Sequence, residues 1–165
     1  MSLKRPSIIE DRSDKMANLG VFPVYDLNFK IGTKGKSSGN ENMVTIADVE
    51  SFSPSIDGTV EKWTTMTDGW ASSLMTGKAF SISLKGKRSI GDPGNDYVAG
   101  LAWQNGLACS TKAEIEFPDG AKLSFNCVVD VKTPFGGDST NVSTLEFDLV
   151  GDGKPTYTPA GHKVK

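Results

Sequence analysis

The sequence predicts a mainly β chain: an antiparallel sandwich or barrel with one short flanking α-helix and a long loop between two of its strands. Three observations lead there. Apolar and polar residues alternate with period two in one segment after another. Only the stretch from Asp92 to Ala102 carries helical spacing. A length of 165 residues suits one domain with a core of its own.

The elements follow in chain order. Residues 1–15 are charged and weakly periodic, and Met16-Ala-Asn-Leu-Gly20 reads as a fresh start. The first fifteen residues are therefore expected to be a tag, a misassigned start or a flexible arm. Tyr25, Leu27, Phe29 and Ile31 point one way and Asp26, Asn28 and Lys30 the other, as in a strand with one wet face. Met43–Glu50 is strand-like without clean alternation. Phe80, Ile82 and Leu84 oppose Ser81, Ser83 and Lys85. Ala113, Ile115 and Phe117 oppose Lys112, Glu114 and Glu116; Leu123, Phe125, Cys127, Val129 and Val131 oppose Ser124, Asn126, Val128 and Asp130. Pro118-Asp119-Gly120 between these last two supplies the chemistry of a hairpin turn. Leu145, Phe147 and Leu149 oppose Thr144, Glu146 and Asp148. One wet face per strand points to antiparallel sheets.

The single helix has a capped start. Asp92 suits an N-cap and Pro93 the first helical position, with Asn95 a competing cap. Tyr97, Val98, Leu101 and Ala102 then form one apolar stripe, and Gly106 is placed to stop the helix. So short a helix must lie against the sheet to persist.

Two stretches do not alternate. Lys34–Asn42 is a Gly/Ser/Lys loop. Ser51–Lys78 is long and mixed, and it holds Trp63, Met66, Trp70, Leu74 and Met75. Long irregular loops are usually functional. Aromatics and Met are enriched where protein meets protein, yet Trp63 and Trp70 could equally close one end of the core.

Composition excludes several classes. Lys+Arg 18 against Asp+Glu 20 gives a net charge of −2, without the basic excess of a bulk nucleic-acid binder. Cys109, Cys127 and the single His162 are too few and too scattered for a zinc site, so no metal or cofactor is expected. No apolar run approaches twenty residues, and the N-terminus has no apolar signal core, so neither a membrane span nor secretion is expected. The default compartment is then cytoplasmic, with reduced thiols. The Asn141-Val-Ser sequon carries little weight without secretion.

Candidate chemistry is thin. Gly32-Thr-Lys-Gly-Lys-Ser37 lacks the first glycine of a phosphate loop and no helix follows it, so it reads as a solvated hairpin loop. A lone His162 in a Pro/Gly-rich tail supports no Ser–His–Asp set. Glu114 with Glu116, and Glu146 with Asp148, could serve as paired acid–base carboxylates only if a cleft enclosed them; on wet strand faces they keep a sheet soluble. Cys127 alternates with apolar residues, as a small core hydrophobe does. Gly151-Asp-Gly-Lys-Pro155 is an exposed turn, short of the oxygen ligands of a calcium loop. No enzyme is expected. A β-sandwich carbohydrate-binding module and a glycoside hydrolase fragment are the rivals from other classes.

Five phrases carry a resemblance. They are Pro23-Val-Tyr-Asp-Leu-Asn-Phe-Lys-Ile-Gly32, Met43-Val-Thr-Ile-Ala-Asp-Val-Glu-Ser-Phe-Ser53, Ser55-Ile-Asp-Gly-Thr-Val-Glu-Lys-Trp63, Leu74-Met-Thr-Gly-Lys78 and Gly91-Asp-Pro-Gly-Asn-Asp-Tyr-Val-Ala-Gly-Leu101. In this order the chain resembles the major tail tube proteins of long-tailed (siphovirus-type) bacteriophages and prophages. The likeness runs from Met16 to about Pro159, making 16–159 a tail tube domain, 1–15 an extension and 160–165 a C-terminal tail.

The resemblance implies a tail-tube β-sandwich whose copies form hexameric rings. Inner-sheet strands of six subunits join into one barrel, and rings stack into a hollow conduit that delivers DNA into the host. It implies a virion tail location, with assembly in the bacterial cytoplasm. Its implied partners are further copies of itself and the tail tip initiator, tape measure and terminator proteins; DNA passes without specific binding. The loop Ser51–Lys78, with Trp63, Met66, Trp70, Leu74 and Met75, would contact the neighbouring ring. A wall that DNA slides past should not hold phosphates, so Asp130, Glu146 and Asp148 are expected either to face the lumen or to lie on the outside of the sandwich. The tubes of contractile tails and secretion systems are similar, and remain a near alternative.

Overall fold

The computed structural model describes residues 20–160. The expected extension 1–15, the start at Met16 and the tail from 161, with His162, lie outside the described residues. Eight strands and one α-helix make up the described fold: β1 (Asn28–Gly32), β2 (Met43–Thr45), β3 (Val49–Thr64), β4 (Ala71–Lys87), α1 (Pro93–Gly100), β5 (Ser110–Glu116), β6 (Lys122–Thr133), β7 (Thr144–Gly151) and β8 (Thr156–Thr158). Every pairing is antiparallel, in the order β2-β1-β5-β6-β7-β4-β3, with β8 beside the start of β6. The mainly β, antiparallel expectation with one short helix holds.

One hydrogen-bonded sheet does the work of two layers by curling. The rings of Phe29 on β1 and Phe52 on β3, near opposite ends of the strand order, meet edge to face at 4.6 Å. Inside lie Phe29, Ile31, Ile82, Leu84, Ala113, Ile115, Phe125, Cys127, Val129, Leu145, Phe147 and Leu149, all buried. These are the inward positions that period-two alternation names, and α1 adds Val98 and Ala99 to them. Burying each large aliphatic or aromatic side chain contributes about 1.5–3 kcal/mol. The turn of the β5–β6 hairpin is the expected one: Phe117 N–H donates to Ala121 O at 2.9 Å and Ala121 N–H to Asp119 Oδ1 at 2.9 Å.

Four local expectations need correction. β1 starts at Asn28, not Tyr25, because Val24–Asp26 closes a 3-10 turn and leaves Tyr25 exposed. The segment Met43–Glu50 is split after Thr45, where Asp48 turns the chain with φ 61°. Asp92 caps α1 by accepting from Asn95 N–H at 3.0 Å, but Asn95 itself is no competing cap, since its side chain is buried and turned to the strands. The helix ends at Gly100 and tightens into a 3-10 turn over Leu101–Trp103, ahead of Gly106; Tyr97 and Ala102 are only half-buried.

The largest correction concerns Ser51–Lys78, which is not a loop. Nearly all of it belongs to β3 and β4, paired from Val49 opposite Gly86 to Thr64 opposite Ala71. Beyond the core this hairpin continues as a two-stranded arm. From Ser53 to Ala79 every residue is exposed.

Candidate functional site

The arm is built from ordinary strand chemistry. Residues Ser53–Thr64 reach about 40 Å at ~3.3 Å per residue. Its tip is closed by Trp70 N–H donating to Asp68 Oδ1 at 2.9 Å and Gly69 N–H to Thr65 O at 3.3 Å. Pro54, which has no N–H to give a ladder, fits because β3 is an edge strand. A bulge at Thr76 interrupts the register between Thr59–Gly77 and Val60–Met75, and its hydroxyl donates to Thr59 O at 3.2 Å.

The bulge decides which side chains share a face. Ile56, Val60 and Met75 continue the apolar face of Phe52, Phe80 and Ile82, while Trp63 and Leu74 stand on the opposite face. Trp63, Met66, Trp70, Leu74 and Met75 are all exposed. The structure thus brings the five assembly candidates onto the outer half of one arm. It also removes the alternative that Trp63 and Trp70 belong to the core of the single chain. Ile56 and Val60, not singled out from sequence, join them; their spacing of four in an alternating stretch is the signal that marks them.

The second candidate surface is the wet face of β3, β4, β7 and β6. Its rows run Ser53, Ser83, Asp148, Asp130 and Ser51, Lys85, Glu146. Asp130 stands directly opposite Asp148, and Glu146 lies two residues from Asp148 on the same face. Like charges opposite one another are destabilising. Lys132 offsets this, its Nζ 2.7 Å from Asp130 Oδ2. That hydrogen bond, with the Asp130 and Asp148 charges, raises the Lys132 ammonium above its ordinary range. Asp130, Glu146 and Asp148 thus share one face of the sheet.

The other carboxylate pair is tied into ion pairs. Lys30 Nζ donates to Glu116 Oε1 at 2.8 Å, and Lys122 Nζ lies 3.5 Å from Glu114 and 3.7 Å from Glu116. The Lys30 hydrogen bond holds Glu116 below the ordinary carboxylate range, so it stays charged rather than poised to give a proton. Gly32 ends β1, and Thr33–Ser37 forms part of the β1–β2 connection, with a 3-10 turn at Gly35–Ser37. Cys127 is fully buried, and burial, helped by the Asp152 charge, pushes its thiol up to about 12. Among the described residues no three His, Cys, Asp or Glu side chains group as metal ligands, and no helix is long and apolar enough to cross a membrane.

Two strand flanks complete the picture. Among the described residues β3 pairs only with β4, which leaves its outer flank without a strand there. β5 leaves β6 at Val128, so Val129–Thr133 has no strand on that flank among the described residues. Both open flanks border the four-stranded region whose wet face carries the serines and carboxylates.

No family model matches the sequence, and no curated protein matches it. Solved structures do match in fold. A chain from the tail of an empty gene transfer agent particle, solved by helical refinement with C6 symmetry, superposes with a TM-score of 0.68 at 18% identity, covering 84% of this chain and 100% of that one. A chain of the native gene transfer agent virion gives 0.62 at 16% identity, covering 84% and 100%. A chain of an extracellular contractile injection system, from its PVC sheath/tube terminator in the extended state, gives 0.60 at 13% identity, covering 86% and 99%. The fold is therefore one shared with chains of a gene transfer agent particle and of an extracellular contractile injection system.

Proposed function

We propose that this chain is a structural, non-enzymatic subunit that assembles with copies of itself into stacked hexameric rings, forming a tail tube through which DNA passes. The observation that carries the reading is the arm. A strand pair with apolar side chains exposed on both faces invites association with something that covers it. The C6 symmetry of the gene transfer agent tail, whose chain shares this fold, supports six copies per ring. A second copy supplies what the open flanks need: the outer flank of β3 can pair with Val129–Thr133 of the next subunit, closing the edges into one ring.

In that ring the wet face of β3, β4, β7 and β6 lines the bore. Serines and the carboxylates Asp130, Glu146 and Asp148 then face passing DNA, without the basic groove that would capture phosphates. The arm reaches the neighbouring ring through Trp63, Met66, Trp70, Leu74 and Met75. Residues 16–159 act as the tube domain. Tail tip initiator, tape measure and terminator proteins are the further partners, with assembly in the bacterial cytoplasm. The likeness to a contractile injection system favours one second reading, a tube enclosed by a sheath.

Negative-stain microscopy of the protein before and after concentration, with and without a nucleating tip complex, tests the proposal. Rings or tubes with a central bore are expected. A monomer under every condition, binding sugar instead, would overturn it in favour of a binding module.

A further inference from the structure

We propose that the end of the sandwich opposite the arm is the seat for the arm of a copy in the adjoining ring, with Ile90, Phe135 and Val142 as its apolar contacts. On the tube reading, on which this seat rests, the arm thereby gains a definite partner surface. The ladder of β4 on β7 runs from Ser81 opposite Val150 to Lys87 opposite Thr144, about 20 Å at ~3.3 Å per residue. The arm leaves the sheet at the Ser81 end. At the Lys87 end stand two loops, residues 88–92 after β4 and residues 134–143 between β6 and β7. Arg88 N–H donates to Ser143 O at 2.9 Å and joins them, and Ile90 follows shortly after Arg88. Ile90 is 86%, Phe135 64% and Val142 63% exposed, so the described residues leave all three largely uncovered.

Both loops are pinned. Gly136 N–H donates to Ser143 Oγ at 3.2 Å, Thr144 N–H to Gly136 O at 3.2 Å and Asn141 N–H to Asp138 O at 2.9 Å. Gly136 and Gly137 have φ of 149° and 129°, a conformation glycine adopts readily and other residues do not. In the other loop Gly91 N–H donates to Asp96 Oδ2 at 3.0 Å, and Arg88 Nη1 is held by Asp96 Oδ1 at 2.7 Å and Asn95 Oδ1 at 2.8 Å. Apolar side chains carried on a pinned backbone lose less freedom when a partner covers them. The occupant follows from symmetry. Equivalent copies stacked along one axis meet head to tail, so what one end of the chain presents is met by the other end of the next copy. One end presents the arm with Trp63, Trp70 and Leu74 exposed; the other presents Ile90, Phe135 and Val142. Six arms on six seats act together in a ring, so each contact can be small.

The double variant Phe135→Ser, Val142→Ser tests this. Both side chains lie outside the core, so the monomer should keep its fold, and the concentration needed for tube growth should rise roughly tenfold or more. Should the pair fail to fold, Ile90→Ser makes the same test from the other loop. Head-to-tail docking adds a signature. Each variant, this one and Trp63→Ala with Trp70→Ala, is given to the growing end of preformed unaltered tubes, followed by unaltered protein. One of the two should add a single ring and block further growth, and the other should not add. Normal growth by the seat variant, or failure of both variants to add, would refute the seat. Amide hydrogen exchange of the unaltered protein is the second measurement. Residues 134–143 and the arm, 53–79, should slow together between dilute and concentrated protein; exchange at 134–143 that ignores concentration would overturn the pairing. If the unaltered protein never forms tubes, the proposed function falls, while this exchange comparison still decides whether arm and seat meet.

Discussion

Replacing Trp63 and Trp70 together by Ala separates the assembly reading from every reading in which the chain works alone. In the single chain Trp63 is 47% and Trp70 80% exposed. Trp70 is little shielded and Trp63 about half, and neither lies in the core, so the double variant should fold with only a small drop in melting temperature. A buried Trp truncated to Ala would instead cost about 3–5 kcal/mol. The effect belongs to association. With ~200 Å² per indole, Trp70 at 80% exposure leaves ~160 Å² to bury, about 4 kcal/mol at ~25 cal/mol per Å². Trp63 at 47% leaves roughly half as much to gain, about 2 kcal/mol.

These are upper limits, because ordering and desolvation take part of them back. If only a third survives, roughly 2 kcal/mol, the concentration needed for tube growth rises about thirtyfold. The assay is light scattering against protein concentration with a nucleating tip, with near-ultraviolet circular dichroism to confirm the monomer's fold. Tubes that grow at the unaltered concentration would falsify the claim that the arm is an interface. A double variant that unfolds would return both tryptophans to a core role.

Reversing Asp130, Glu146 and Asp148 to Lys should slow DNA ejection and leave tube length as it was; unchanged ejection kinetics would move that face to the outside of the wall. Cys127 supplies a pH signature. Its thiol is held up to about 12 from an ordinary 9.0, mainly by burial. The unfolded chain therefore loses this proton first, so its contribution is whole below about pH 9 and is lost as pH climbs towards 12. The slope reaches at most ~1.4 kcal/mol per pH unit. Denaturant midpoints of the unaltered protein and Cys127→Ala, compared between pH 8 and 10, should converge with rising pH; parallel curves would contradict it.

How legible each part is depends on what covers it. Phe80, Ile82 and Leu84 alternate with Ser81, Ser83 and Lys85 because one face of that segment meets the core and the other meets water. The same strand runs back to Ala71, yet alternation disappears below Phe80, where neither face is covered by the described residues. Ser51–Lys78 reads as a loop for that reason, with Pro54, Gly58 and Gly77 reinforcing the impression. Its length and its Trp and Met content are visible in sequence; its pairing, a tertiary fact, is not. Asp92 and Pro93 are legible as a helix start because capping is local. Asn95 looks like a rival cap because its four partners come from Ala47, Lys87, Arg88 and Ser89, one of them 48 positions away. Asp130, Glu146 and Asp148 can be placed on one face, since a strand's period fixes the face; that Asp130 stands opposite Asp148 needs the register of β6 on β7. A sequence records in its periodicity only the contacts that its own chain completes. Where an extended segment is rich in Trp and Met and still shows no period, the missing face is best sought on another molecule, and here the exposed arm and the two open flanks point to a second copy of the same chain.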